Sequence, residues 1–198
     1  MLDFLKSLDT ILLLKINGAH TPFWDTIMIA CTNKFFWFPF YAILLGFLIY
    51  KYKIKSVFLF IAIALLITTS DQFASTLMKP IFARLRPCHD PSLSGILYLV
   101  KGCGGLYGFI SSHAANTFAI ASLLSFLFKN WKTTGLLISW AFVVSISIVY
   151  LGAHYPGDIL FGGIAGIFFG WVYYRIFYLF IDKYFPEESL NLRILKTS

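Results

Sequence analysis

Three short polar clusters interrupt an otherwise apolar chain: KPIFARLRP from Lys79 to Pro87, SSHAANT from Ser111 to Thr117, and YLGAHYPGD from Tyr150 to Asp158. Together they hold two imidazoles, a carboxylate and a group of fixed cations, a set suited to phosphoryl transfer through a covalent phosphohistidine. His154 is the candidate nucleophile. Asp158, four residues on, would accept a hydrogen bond from the second ring nitrogen, fix the tautomer and stabilise the developing imidazolium. His113 is the candidate general acid, because protonating a leaving alkoxide needs a group that titrates near neutrality. Lys79 and Arg86 would hold the non-bridging oxygens, Arg by a bidentate fork and Lys as a point charge. Ser111, Ser112 and the backbone N–H groups up to His113, at a helix N-terminus, complete the anion site. The scheme calls for no metal and no cofactor.

Each cluster also has a plainer reading. Lys79, Arg84 and Arg86 could be interfacial cations that reach for headgroups, Ser111 and Ser112 could simply cap the following helix, and a lone histidine is ordinarily a hydrogen-bonded structural residue. Joint occurrence shifts the balance, because ionisable groups gathered at one membrane depth are costly to keep without a task.

The elements that must position these groups follow from composition. With 59% hydrophobic and 13% charged residues, the chain does not describe a soluble core. In lipid every backbone polar group must be satisfied within its own segment, and the apolar runs do not alternate as barrel strands do, so they must be helices. The expected fold is an all-α polytopic transmembrane bundle. Five clear spans are expected: Lys34 to Lys51, Ser56 to Met78, Ser111 to Phe128, Thr133 to Tyr150 and Asp158 to Ile181. Phe23 to Thr32 is short for a span, and leaves a sixth helix or a re-entrant segment open. In the first helix Asp3, Lys6, Asp9 and Lys15 interrupt Leu2, Phe4, Leu5, Leu8, Ile11 and Leu12, which favours an amphipathic interfacial helix over a span or a secretory signal.

This divides the chain into an N-terminal segment 1–33, a bundle 34–184 with an outer loop 79–110, and a cytoplasmic tail 185–198. Lys51, Lys53, Lys55, Lys129, Lys132 and Lys183 mark one side, cytoplasmic by the positive-inside rule. All three polar clusters then fall at outer span ends, facing the exterior or periplasm of a bacterial inner membrane. The net charge of +7 sits mostly at span ends, the placement of membrane anchors, so no nucleic-acid partner is expected. Cys88 and Cys103 lie in the outer loop, where an oxidising compartment permits a disulfide, although sequence does not fix the pairing. Cys31 would then be left over and buried. Cysteine and histidine spacing gives no structural zinc pattern.

At these residues the chain resembles the type-2 phosphatidic acid phosphatase superfamily, membrane lipid phosphate phosphatases whose signature has three parts. K-x6-R-P is complete as Lys79, Arg86 and Pro87. P-S-G-H appears as Ile110, Ser111, Ser112 and His113, keeping the Ser and the His. S-R-x5-H-x3-D gives Ser147, His154 and Asp158 at the right spacing, with Ile148 where the family has arginine. The resemblance runs from about Lys34 to Ile181. It implies the roles already assigned to His154, His113, Asp158, Lys79 and Arg86, and a substrate among lipid phosphates. Family-level candidates are undecaprenyl diphosphate, phosphatidylglycerol phosphate, phosphatidate and lipid A.

Ile148 is the serious departure, since removing one such transition-state donor costs on the order of a hundred- to a thousand-fold in rate. Arg84 or Lys101 could supply the charge instead, the protein could be a slow or non-catalytic relative that binds or translocates phospholipid, or this copy could carry a substitution that weakens turnover. Gly162, Gly166 and Gly170 recur every fourth residue on the last span, so another helix can approach closely. Packing inside the bundle is the default for that stripe and a homodimer contact the alternative. Asp71 reads as a buried hydrogen-bond or ion-pair partner within the second span, and His89 and Asp90 as residues of the outer loop.

Overall fold

The computed structural model describes residues 2–100 and 102–186, and the side chains from residue 4 onward. Its helices are α1 (Leu2–Asn17), α2 (Pro22–Thr32), α3 (Phe38–Tyr52), α4 (Lys55–Phe82), α5 (Ser112–Phe128), α6 (Trp131–Tyr150) and α7 (Pro156–Tyr184). Three of them, α4, α6 and α7, are long and apolar enough to cross a membrane, at 28, 20 and 29 residues. At about 1.5 Å per residue each reaches roughly 30 Å or more. The other two expected spans are shorter apolar helices, α3 with 15 residues and α5 with 17.

Helix α3 begins later than the run from Lys34 suggests. Residues Lys34 to Trp37 form a turn, and Pro39 takes a first-turn position, where its missing N–H is not needed. Phe23 to Thr32 lies within the separate 11-residue helix α2, capped by the Thr21 hydroxyl, which accepts from Trp24 N. The tail beyond residue 186 lies outside the described residues.

Helices α4 to α7 form the centre of the bundle, with α5 packed between α7, α6 and α4. The closest approach is that of α5 and α7, and the glycine stripe explains it. A Cβ added at Gly162 would stand 2.7 Å from the Ser111 carbonyl oxygen, and one at Gly166 or Gly170 would overlap the Ala115 carbonyl or the Ser122 hydroxyl. The stripe is thus filled by α5 from the same chain, as small-residue faces in membrane bundles allow. Helix α3 docks through aromatic rings, with Phe40 and Trp140 centroids 5.3 Å apart.

Topology puts the two ends of the bundle to different use. The end of α3, the start of α4, the α5–α6 turn and the end of α7 lie together, with the Lys51 ammonium 4.9 Å from the Phe128 ring and that of Lys55 5.2 Å from the Phe185 ring. The opposite end gathers the C-terminus of α4, the N-terminus of α5, the C-terminus of α6 and the N-terminus of α7. All three polar clusters are on that end.

The N-terminal segment packs against α6 and α7. Phe4, Leu5, Leu8, Ile11 and Leu12 of α1 are exposed, whereas Leu13 and Asn17 are buried and Asp9 half-buried. The helix therefore turns its apolar side outward and its Asp9, Leu13, Asn17 face, at i, i+4 and i+8, onto the protein. Asn17 donates to the carbonyls of Tyr98 and Tyr150, each at 2.8 Å, and accepts from Tyr98 N at 2.9 Å. That clamp fixes the break between α1 and α2 beside the end that carries the polar clusters.

Candidate active site

Helix α4 delivers the first cluster. A π-helical stretch over Phe73–Met78 re-phases the helix just before Lys79, a distortion common at functional sites. The Lys79 ammonium donates to the Ser112 hydroxyl at 3.1 Å, tying α4 to the first turn of α5. The chain leaves α4 at Ala83 and doubles back on itself. Arg86 N donates to the Leu106 carbonyl at 3.0 Å and Gly108 N to the Arg84 carbonyl at 2.8 Å, around a bridge between Leu85 and Tyr107. Cys88 and Cys103 are joined in a disulfide with Cα atoms 6.1 Å apart, which closes the loop beyond that bridge. Cys31 is free and buried.

Inside the fold-back, Arg86 Nε donates to the Tyr107 carbonyl at 3.3 Å, and its guanidinium lies under Gly104. Gly108 stands over the His154–Asp158 pair: a Cβ there would be 2.9 Å from Asp158 Oδ2 and 3.5 Å from His154 Nδ1. Only the absence of a side chain lets the loop come so close. Sequence reading missed Gly108, because a lone glycine in a loop gives no sign of what it lies against.

Helix α5 supplies the second cluster. Ser111 is its N-cap, fully buried, with a hydroxyl that accepts from Ala114 N at 3.3 Å and a backbone N–H that donates to the Asp158 carbonyl at 3.0 Å. Its hydroxyl thus serves the helix, while the first-turn N–H groups of Ser112 and His113 are of the kind that helices offer to anions. His113 is open to a cavity of about 610 Å³ that runs into the bundle. Ser112, Asp71 and Asn116 share its polar end, and Ile63, Ile120, Leu124 and Val144 line its apolar depth. Asn116 donates to the Asp71 carboxylate at 3.2 Å, which gives Asp71 the hydrogen-bond partner expected of it.

The third cluster lies between α6 and α7. His154 is 2% exposed and its Nδ1 stands 3.2 Å from Asp158 Oδ2, leaving Nε2 as the nitrogen that can attack. Burial pushes the imidazole below its ordinary range, against the opposing pull of Asp158, so at neutral pH the ring is unprotonated and nucleophilic. Asp158 is fully buried, and its Oδ2 also accepts from Tyr155 N at 3.0 Å at the start of α7.

Arg84 is engaged by two carboxylates. Its guanidinium donates to Asp158 Oδ1 at 3.0 Å and to Asp9 Oδ2 at 2.6 Å, over the face of Tyr155 at 3.9 Å from the ring centroid. Lys101 lies outside the described residues. Ile148, in the last turn of α6, is 4% exposed, and its carbonyl accepts from Ala153 N at 3.0 Å. In the outer loop, the Tyr155 hydroxyl donates to Asp90 at 2.8 Å and His89 Nε2 pairs with the Gly104 carbonyl at 3.1 Å. Hydrogen bonds from Ser92 above all hold Asp90 below the usual carboxylate range.

Comparison with known proteins finds relatives of this chain. The PAP2 superfamily model matches residues 60–182. The lipid A 4'-phosphatase of Bacteroides thetaiotaomicron is 42% identical over 179 residues, covering 89% of this chain and 80% of that protein. The lipid A 4'-phosphatase of Porphyromonas gingivalis is 32% identical over 178 residues, covering 89% and 75%. The crystal structure of Aquifex aeolicus LpxE superposes with a TM-score of 0.65 at 24% identity, over 85% of this chain and 95% of that one. A PAP2-type phosphatidylglycerolphosphate phosphatase from Bacillus subtilis gives 0.66 at 20% identity, over 85% and 84%. At these identities the two structures speak for the fold alone.

Proposed function

Because the chain belongs to the PAP2 superfamily, we propose that it removes the 4'-phosphate of lipid A at the periplasmic face of a bacterial inner membrane. The coarser statement stands without the proposal: it is an integral membrane enzyme, a phosphatase that acts on lipid phosphates. The observation that carries the finer one is the identity to two lipid A 4'-phosphatases across most of all three chains. The cavity supports a lipid substrate, since the acid side chain opens onto a largely apolar space where the leaving group's body can lie. Orientation rests on the lysines gathered at the far end of the bundle.

In the reaction, His154 Nε2 attacks phosphorus as the bond from phosphorus to the lipid oxygen breaks. His113 gives its proton to that oxygen, and Asp158 stabilises the imidazolium on His154. Water, deprotonated by His113, then attacks the phosphohistidine, breaks the N–P bond and releases inorganic phosphate with both side chains restored. Lys79, Arg86 and the first-turn N–H groups of α5 hold the oxygens throughout.

A second reading, a phospholipid-binding relative with little turnover, is favoured by one observation: a buried, apolar Ile148 where the family has arginine. Substrate choice tests both. Purified protein given lipid A, phosphatidylglycerol phosphate and phosphatidate in detergent should release phosphate fastest from lipid A. Mass spectrometry of the recovered lipid should find the 4' phosphate gone. Faster release from the glycerolipids with lipid A intact would overturn the assignment, and no release from any of them would leave the binding reading.

A further inference from the structure

The nucleophile is held by Asp158, and Asp158 is held in turn by Arg84, which has no place in the three-part signature, and through it by a residue of the N-terminal helix. Its Oδ1 accepts from Arg84 at 3.0 Å, and the second arm of the same guanidinium reaches Asp9 of α1 at 2.6 Å. The other Asp9 oxygen accepts from Gly157 N, in the first turn of α7, at 2.7 Å. An acidic side chain on the first-turn N–H groups of a helix is favoured by the helix dipole and satisfies an otherwise orphaned donor. Glycine at position 157 makes the approach possible, since a Cβ there would lie 2.8 Å from Asp9 Oδ2. Tyr155 closes the remaining side, its ring under the guanidinium and its hydroxyl on Asp90.

We infer that Asp9 and Arg84 are positioning residues for the phosphatase reaction, a carboxylate–guanidinium–carboxylate chain through which docking of the N-terminal helix sets Asp158, and through it His154, in line for attack. Asp9 lies outside the residues matched by the family model, 60–182. Leu13 packs with Val149, Tyr155 and Leu93 one turn along, so the same face of α1 that carries Asp9 is anchored to the loop holding His154. Misplacing a reacting group by about 1 Å from a distance can cost on the order of a hundredfold in rate.

This inference rests on the phosphatase reading, and the experiment separates the two. Wild type, His154→Ala, Asp9→Asn, Arg84→Lys, Arg84→Ala and the double variant Asp9→Asn/Arg84→Ala are purified in detergent. Their kcat and KM are measured on lipid A, with thermal unfolding as the check on folding. Asp9→Asn should lower kcat by about tenfold to a hundredfold with KM within about twofold. Arg84→Ala should lose at least as much, and Arg84→Lys should recover part of it. The double variant should be no worse than Arg84→Ala alone, because the two act as one unit.

If Arg84 gripped phosphate directly, releasing it from Asp9 would spare the rate and Arg84→Ala would raise KM. Either result in folded protein overturns the inference, as do losses that multiply in the double variant. A wild type without turnover defeats the phosphatase reading instead. A wild type that turns over, with an inactive His154→Ala and an unimpaired Asp9→Asn, defeats only the positioning role.

Discussion

His154→Ala lowers phosphate release by about 10,000-fold or more, while the protein stays folded and still binds lipid phosphate. The expectation follows from what the imidazole does alone. Removing the nucleophile of a covalent mechanism takes away the two-step path itself, and residual rate comes only from binding and charge stabilisation by the remaining donors. Those donors, Lys79, Arg86 and the α5 N-terminus, are on other elements and do not depend on the imidazole for their place. KM should therefore change far less than kcat. Burial also fixes the ring, which is 2% exposed and has its Nδ1 3.2 Å from Asp158 Oδ2, so that Nε2 faces the phosphoryl group. Steady-state phosphate release from purified wild type and variant checks the loss, and activity within tenfold of wild type would remove His154 from the mechanism.

Ile148→Arg raises kcat by roughly a hundredfold. Charge builds on the transferred phosphoryl group in the transition state, and a donor aimed there acts on the rate more than on substrate binding. The native residue cannot provide it, since its buried side chain carries no polar atom. Arg84, a described cation that could replace it, is already engaged by Asp9 and Asp158. The same substitution should lower thermal stability in the absence of anion, because an arginine replaces a side chain 4% exposed, and added inorganic phosphate should restore much of the loss. A variant with unchanged kcat would mean that Lys79 and Arg86 already meet the charge, and that the departure from the family pattern carries no penalty.

Much of the bundle could be read from the chain because lipid leaves few choices. Long apolar runs must be helices, and their lysine-marked ends show which termini lie together. Lys79, His113 and His154 were therefore placed at one end from spacing alone. Boundaries were less legible: the aromatic run after Lys34 reads as span, yet Pro39 delays the helix to Phe38. Ser111 illustrates a residue with two valid readings, and in the structure its hydroxyl caps α5.

The supports of the site were the least legible part. Asp9 looked like one charge among several on an interfacial helix, and its purpose depends on a partner 75 residues away. The i, i+4, i+8 set of Asp9, Leu13 and Asn17 was the available signal, a polar-edged face on a helix whose other face is greasy. Gly108 and Gly157 matter for what approaches them, which spacing along the chain cannot reveal.

The most direct test of the covalent mechanism is the stereochemical course at phosphorus, followed with a lipid phosphorothioate made chiral by two oxygen isotopes and hydrolysed by the purified enzyme in water carrying the third. Attack by His154 and then by water inverts the centre twice, so the account predicts inorganic thiophosphate formed with overall retention. Thiophosphate formed with inversion would mean that water attacks the lipid ester directly, and would contradict it.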